Sequence, residues 1–306
     1  MTNKITYLDF EEILGFELDE KIKKNISDFD LTYRELTTSE RDNYILNVVD
    51  VLESNNITKS GEHRIIDWEN GWGENLLELR QTKKLETLIP KYHCKNKIVR
   101  WKGDVIMPLT DNFDFKIHIC FVDAILLHYL KNLENIFEFG CGPAYHLLRL
   151  NTYNPSVNLI GLDWTTSSQK IVAELNEIFN YNIGCKNFNF FYPDYNVKIP
   201  KNSGIYTIAA LEQVGDNFQE FISFLLDKKP EICIHLEPID ELLNTNTLID
   251  KLSIKYFRKR NYLNKFLPFL ENLEKNGSIE ILKKQRIYSG SYFVEGHSLI
   301  VWRVKK

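Results

Sequence analysis

The segment "NIFEFGCGPAYHLLRL", residues 135–150, constrains the fold more than any other stretch of the chain. A strand-like apolar run enters two glycines one residue apart and leaves as a helix-like run. Glycine has no Cβ, so the backbone there turns tightly and can lie against a ligand. The following helix N-terminus points free N–H groups at the same place. Strand, glycine pair and helix in that order form the nucleotide-binding turn of open α/β sheets, whose dinucleotide version is G-x-G-x-x-G. Here Gly140 and Gly142 are followed by Pro143, Ala144 and Tyr145. A tyrosine in the third glycine position obstructs close helix–strand packing, which disfavours a nicotinamide-dependent oxidoreductase.

The context of the turn extends the pattern. From about residue 117, helical and β-rich runs alternate: "ICFVDAILLHYLKNL" helical, "NIFEF" a strand, "AYHLLRL" a helix stopped before Pro155, and "VNLIGLD" a strand. The helix "SSQKIVAELNEIF", the strands "FNFFY" and "GIYTIAAL", the helix "NFQEFISFLL" and the strand "EICIHLE" follow. Nearly continuous apolar strands alternating with helices predict a parallel sheet covered on both faces. After a long helical region over 247–275, "SIEILKKQRIYSGS" and "GHSLIVWRV" are separated only by a loop. So short a connection permits an antiparallel pair and forbids a parallel one.

The first part of the chain reads as helical. "TTSERDNYILNVVDVLESNN" offers Thr38 or Ser39 as N-cap and places Tyr44, Ile45, Val48, Val49 and Leu52 at helix spacing. A second helix, "GENLLELRQTKKLETL", is expected after the aromatic stretch "DWENGWG", and residues 89–116 read as a connecting, site-covering segment. The organisation expected is a helical accessory or lid region over 1–115 and an α/β domain over 116–306.

With 306 residues, 43% of them hydrophobic, the chain can bury one large core or a core plus a smaller domain. Its net charge of -4 creates no global field for a nucleic-acid backbone or an anionic membrane, so a small molecule is the default partner. The N-terminus has no apolar signal region and no run approaches the roughly 18 apolar residues of a membrane span, so a cytoplasmic protein is expected. Five cysteines (Cys94, Cys120, Cys141, Cys185 and Cys233) lie tens of residues apart. That spacing suits small buried hydrophobes and fits no disulfide framework, zinc clamp or iron–sulfur cluster. No metal site is expected.

At this point the chain resembles the class I S-adenosylmethionine-dependent methyltransferases. Their first motif, an acidic residue followed by x-Gly-x-Gly-x-Gly, reads here Glu138-Phe139-Gly140-Cys141-Gly142-Pro143-Ala144, with alanine in the last glycine position. The resemblance covers about 117–306. It implies a Rossmann-like, mostly parallel seven-stranded sheet closed by a C-terminal antiparallel hairpin, and S-adenosylmethionine as cofactor with S-adenosylhomocysteine as product. It further implies that Glu138 and the glycine turn approach the methionine part of the cofactor, and that Asp163, ending "NLIGLD", accepts bonds from the ribose diol. Trp164 would pack near the adenine, Asp194 in "YPDY" would lie near its amino group, and Leu211, Glu212 and Gln213 would pass the cofactor towards the substrate.

Methyl transfer from a sulfonium is an in-line displacement, so alignment and exclusion of water dominate. A hydroxyl acceptor also needs a base. His235 and Glu237, two apart at the end of "ICIHLEP", share one face of a strand and, with Glu212, are the catalytic candidates. A structural role for His235, hydrogen-bonded to a neighbouring element, is the competing reading. His146 reads as a helix-packing residue. Arg258, Lys259 and Arg260 beside Tyr256 and Tyr262 form either a solvated helix face or a grip on a phosphate or carboxylate of the acceptor, with Gln213, Arg258 and Tyr262 as substrate-binding candidates. His63, Trp68, Trp72 and Trp101 could cover the acceptor pocket or serve as core.

The function expected is methylation of an oxygen or nitrogen of a small metabolite, a sugar or secondary-metabolite intermediate. DNA amino-methylation lacks its paired-proline motif and cytosine C5 chemistry its Pro-Cys nucleophile. RNA methylation and a non-catalytic, cofactor-binding regulatory protein stay open.

Overall fold

The structure, a computed structural model, describes residues 2–91, 93 and 97–305; Cys94 lies outside them. The chain begins with β1 (Thr2–Lys4), α1 (Tyr7–Leu14), α2 (Glu20–Asp28), β2 (Thr32–Glu35), α3 (Thr38–Glu53) and α4 (Ile65–Thr82). Next come β3 (Val99–Trp101), β4 (Asp104–Pro108), α5 (Phe113–Leu130), β5 (Asn135–Phe139), α6 (Tyr145–Tyr153), β6 (Asn158–Asp163) and α7 (Thr166–Phe179). The remainder is β7 (Ile183–Asn187), β8 (Ser203–Ile208), α8 (Gln219–Lys228), β9 (Ile232–Glu237), α9 (Leu248–Arg260), α10 (Phe266–Lys275), β10 (Ile279–Arg286), β11 (Ser289–Gly290) and β12 (Ser298–Val304).

Seven strands form the main sheet in the order β10-β12-β9-β8-β5-β6-β7. The five from β9 to β7 run parallel, and β12 runs antiparallel to both β9 and β10. This is the Rossmann-like sheet with the closing hairpin expected from the sequence. Alternation along each strand divides the core in two. On β5, Ile136 packs with one hydrophobic cluster while Phe137 and Phe139 pack with the other. On β9, Ile234 and Leu236 join the first cluster and Cys233 the second. Phe139 is fully buried against Phe188, Phe221 and Phe224, a burial worth about 2–3 kcal/mol.

Several local expectations are corrected. The N-cap of α3 is Thr37, whose hydroxyl accepts from Glu40 N–H while the Glu40 carboxylate accepts from Thr37 N–H. A capping box needs the acid three residues after the cap, which selects Thr37 over Thr38 or Ser39. Helix α4 begins at Ile65 and runs straight through "DWENGWG". Its glycines cost helix propensity, but Gly73 lets α4 approach α7, where a Cβ would lie 3.5 Å from Ser167 Oγ. The third parallel strand is the polar "IGCKN", not "FNFFY": β7 is the edge of the sheet and tolerates exposed side chains, whereas Phe188 leaves the strand to enter the phenylalanine cluster.

The first part of the chain is not helical alone. Residues 89–116 contain the hairpin β3–β4, turned by Lys102 and Gly103, both at positive φ. A five-stranded antiparallel sheet, β1-β2-β4-β3-β11, takes its last strand from the connection between β10 and β12. The expected boundary at 115/116 falls inside α5, and β11 stitches the closing hairpin of one sheet to the edge of the other. Of the cysteines described, Cys120, Cys141 and Cys233 are buried and Cys185 is half-buried, all as free thiols.

Candidate functional site

The glycine turn between β5 and α6 is built as its sequence demands. Gly140 and Gly142 have φ of +77° and +48°. A Cβ on Gly140 would sit 2.3 Å from the Ala210 Cβ, and one on Gly142 would sit 2.8 Å from the Trp72 ring. Ala144, at the last glycine position of the motif, is itself left-handed at φ +61°, a conformation costing a residue with a Cβ about 1–2 kcal/mol. Such strain persists where surrounding structure imposes it, and it gathers at functional sites.

Two carboxylates stand at the ends of the adjacent parallel strands. Asp163 accepts Gly142 N–H at 2.9 Å on one oxygen, and Thr165 N–H at 2.9 Å and Thr165 Oγ–H at 2.7 Å on the other. It thereby ties the turn to the start of α7. Glu138, on the Ile136 face of β5, accepts the Tyr206 hydroxyl at 3.0 Å and faces His146 Nδ1 at 3.0 Å. Burial raises the pKa of both acids, against the hydrogen bonds that lower it. With Trp68, Trp72, Tyr145, Trp164, Phe188, Phe190, Ile208, Ala209, Ala210 and Gln213, these groups line a narrow cavity of about 70 Å³. Helix α4 roofs it: Trp68 and Trp72 stack at 5.4 Å, and Glu69 caps α7 by accepting the N–H groups of Thr166 and Ser167.

A second, larger cavity of about 410 Å³ adjoins the first, with Trp68, Ala209 and Gln213 as shared walls. Its lining comes from distant segments: Arg64 and Trp68, His118 and Phe121, Glu212, Arg260 and Tyr262, and Phe293 and His297 of the hairpin connection. A hydrogen-bonded path leads from it to the first cavity. His118 Nε2 lies 3.3 Å from His146 Nε2, and His146 Nδ1 faces Glu138. With Nδ1–H donated to a carboxylate, His146 offers Nε2 as acceptor. His118 then donates Nε2–H and keeps Nδ1 bare. Burial, reinforced by His297 and His93, lowers the His118 pKa well below its ordinary value and keeps the ring neutral. Among the described residues no group of three His, Cys, Asp or Glu is arranged to hold a metal ion.

The structure brings together Glu138, Gly140, Gly142, Asp163, Trp164 and Gln213 at the first cavity and Glu212, Gln213 and Tyr262 at the second. It separates the rest. His235 is fully buried on the other face of β9, near Phe266 and Trp302, with Nδ1 on Thr207 Oγ1 at 3.0 Å and burial driving its pKa to about 3. Glu237, on the same face, accepts the N–H groups of Ala210, Leu211 and Glu212 at 3.0–3.2 Å. It therefore holds the turn after β8 rather than facing a substrate. Leu211 is fully buried with its N–H spent on Glu237 and lines neither cavity. Asp194 is exposed and closes its own turn through Asn196, so it does not reach the first cavity. Arg258 is exposed and pairs with Asp240 at 3.7 Å, while its neighbour Arg260 takes the cavity wall. His146, read as a helix-packing residue, also hydrogen-bonds Glu138 and His118, and His118, His297 and Arg64, which the sequence did not single out, line the larger cavity. No spacing in the sequence links them; only the fold does.

No family model and no curated protein matches the chain. Solved structures do. The small RNA methyltransferase HEN1 is 17% identical with a TM-score of 0.46, over 66% of this chain and 28% of that one. The O-methyltransferase NcsB1 from neocarzinostatin biosynthesis, in complex with S-adenosyl-L-homocysteine and 1,4-dihydroxy-2-naphthoic acid, is 13% identical with a TM-score of 0.45, over 63% and 57%. The methyltransferase domain of bacterial CtHen1-C is 16% identical with a TM-score of 0.46, over 62% and 97%. The chain thus spans less than two thirds of the first two. Likenesses at this level say nothing about activity or substrate. The strand order, the antiparallel closing strand and the acid–glycine turn on β5 decide the architecture directly. The chain has a Rossmann-like sheet closed by an antiparallel hairpin, the architecture that the resemblance to class I methyltransferases implies. Among its described residues no helix is long and apolar enough to cross a membrane.

Proposed function

We propose that the protein transfers a methyl group from S-adenosylmethionine to an oxygen or nitrogen of a small molecule. The observation that carries this reading is the pair of adjoining cavities. One is built on the glycine turn with a carboxylate at each adjacent strand end, and the other is larger, carries Arg64, Glu212 and Arg260 on a mainly apolar lining, and shares the Trp68–Gln213 wall. The residues fit the cofactor: both glycines of the turn line the small cavity with bare backbone, Glu138 suits an ammonium group, Asp163 a ribose diol and Trp164 an adenine. When bound, S-adenosylmethionine supplies an electrophilic methyl group on a positively charged sulfur.

The chain's own residues supply the rest. Helix α4 excludes water over the turn, and Gln213 orients groups at the shared wall, accepting from Trp68 Nε1 at 3.3 Å and donating to Glu212 at 2.9 Å. For a hydroxyl acceptor, His118 Nδ1 takes the proton as its Nε2–H passes to His146 Nε2 and the His146 Nδ1–H to Glu138, so both rings end neutral and the carboxylate, its pKa raised by burial, holds the proton. Glu212, pushed up to about 8 by burial beside Glu237, keeps its proton at neutral pH and serves as a hydrogen-bond donor in the acceptor cavity.

Calorimetric titration of S-adenosylhomocysteine, with NAD in parallel, tests the reading on the wild type and on Asp163→Ala. Micromolar binding of the first ligand alone is expected, at least tenfold weaker in the variant, as loss of a charged hydrogen-bond acceptor worth about 1.5–3 kcal/mol requires. Binding of NAD alone, or of neither, overturns it.

A further inference from the structure

We infer that the acceptor carries an anionic group, a carboxylate or a phosphate, that docks between Arg64 and Arg260 on the wall of the larger cavity. The word "acceptor" rests on the methyl-transfer reading; the anion site does not.

Two guanidinium groups line this cavity from separate parts of the chain, and the fold draws them to one place. Arg260 ends α9, donates from Nη1 to Thr58 O and receives Ser60 N–H on its own carbonyl at 2.7 Å. The segment that carries Arg64 is thereby pinned to the helix end that carries Arg260. Arg64 spends Nε on Asp67 at 2.6 Å and lies over the Trp68 ring at 5.9 Å, while its Nη1 is buried with no hydrogen-bond partner. A buried guanidinium nitrogen without a protein partner is costly and uncommon, and it calls for an acceptor from outside the chain, a water or an anion. Arg260 donates Nε–H to Tyr262 OH at 3.2 Å and lies over that ring at 5.1 Å; its Nη2 makes no hydrogen bond among the described residues. Each arginine thus lies over an aromatic ring with donors to spare, and a guanidinium with two free N–H groups can grip an oxyanion in two-point fashion.

Among the described residues, the rest of the wall offers these spare donors no ionised carboxylate at hydrogen-bond distance. The acids on the cavity are Asp114, beside His93 at 3.8 Å, and Glu212. Glu212 lies close enough to Arg260 to feel its charge and interacts with Tyr262, but burial beside Glu237 pushes it up to about 8, so it holds its proton at neutral pH. Asp67 is largely exposed and does not line the cavity. His118 and His297 are neutral by burial. The remaining lining is aromatic or small, with Trp68, Phe121, Tyr262 and Phe293 around the arginines. A neutral sugar would leave the buried Arg64 Nη1 and the spare Arg260 Nη2 without the charged acceptor that an anion supplies.

The test is titration of inorganic phosphate and, separately, of benzoate into the full chain, both free and saturated with S-adenosylhomocysteine, with ionic strength held constant by chloride. One of the two anions is expected to saturate at one site per chain. Its dissociation constant should rise at least tenfold in Arg64→Gln and severalfold in Arg260→Lys, with S-adenosylhomocysteine affinity unchanged in both. Phosphate alone binding assigns a phosphorylated acceptor, and benzoate alone a carboxylate. Arg64→Gln decides should the Arg260 variant fail to fold, because its substitution breaks the exposed pair with Asp67 and the contact over the Trp68 ring and no backbone hydrogen bond. Failure of both anions to bind the wild type, or equal binding to wild type and Arg64→Gln, overturns the inference. Absence of S-adenosylhomocysteine binding in the wild type sinks the methyl-transfer reading instead, whatever the anions do.

Discussion

The two adjoining cavities are made in opposite ways. The smaller one is built on consecutive strand ends and a single turn, and its essential feature is backbone: Gly140 and Gly142 at positive φ, with the Gly142 N–H held by Asp163. The larger one is built from side chains contributed by the first part of the chain, by α5, by the turns after β8 and α9, and by the hairpin connection. A site made of backbone is fixed by a local pattern and tolerates little change. One made of converging side chains can be altered residue by residue.

That contrast predicts its largest effect at Gly140. Gly140→Val forces a β-branched side chain into left-handed backbone and onto the Ala210 Cβ at 2.3 Å. Loss of S-adenosylhomocysteine binding by more than about 100-fold and a stability loss of about 2–5 kcal/mol are expected, from strain and overpacking together. Calorimetry and denaturant unfolding measure the two. A variant that binds normally would mean that the turn is not the ligand's seat.

Next in size is a pH effect centred on the other cavity. Burial raises the Glu212 pKa from 4.5 to about 8 and that of Glu237 to about 7, although three N–H donors pull Glu237 down. The folded state therefore holds protons that the unfolded chain releases above about pH 4.5, so stability falls as pH rises from about 5 to 8. With about 1.4 kcal/mol per unit, a loss on the order of 3–5 kcal/mol is expected from Glu212 alone. Urea unfolding of Glu212→Gln should show a flatter profile, with the gain over wild type confined to the alkaline side. An unchanged slope would show that Glu212 ionises freely in the folded protein.

What could be read in the sequence follows the same division. The strand–turn–helix at Gly140, the acid ending β6 and the closing hairpin were legible because each is a short-range pattern with one structural solution. His235 and Glu237 illustrate the limit. They have the right chemistry at the right end of β9, and their shared face was correct, but nothing local says which face meets the cavity. Leu236, between them, is the residue that lines it. Trp68 and Trp72 are one helical turn apart, a spacing hidden by Gly71 and Gly73, which lower helix propensity and which packing against α7 overrides. The pairing of His118 with His146 and of Arg64 with Arg260 depends on tertiary placement alone. No periodicity within the chain carries it.

A smaller effect sharpens the distinction between the cavities. Tyr206→Phe removes one of the two partners of the buried Glu138 carboxylate without opening space for water. S-adenosylhomocysteine affinity should fall about tenfold, the equivalent of about 1.4 kcal/mol, while anion binding at Arg64 and Arg260 stays unchanged. Parallel titrations compare them. Loss of both would mean that the cavities respond as one unit, coupled through the His146–His118 path.

The smallest expected change is at Asp194, where sequence resemblance and structure disagree. The resemblance puts a carboxylate beside the adenine; the fold puts Asp194 on an exposed turn, accepting from Asn196 N and Nδ2 at 2.9 Å. Phe190 lines the cavity instead, and Phe188 beside it is anchored on Phe139 and Phe221. Because β7 is the edge strand and ends at Asn187, the chain leaves the sheet before it could carry Asp194 inward. Asp194→Ala should therefore alter S-adenosylhomocysteine affinity by less than about 0.5 kcal/mol, the scale of a surface change. A tenfold loss would reverse that judgement. It would require the segment after Phe190 to fold over the bound ligand, making this edge of the small cavity a moving part and bringing its construction closer to that of the large one.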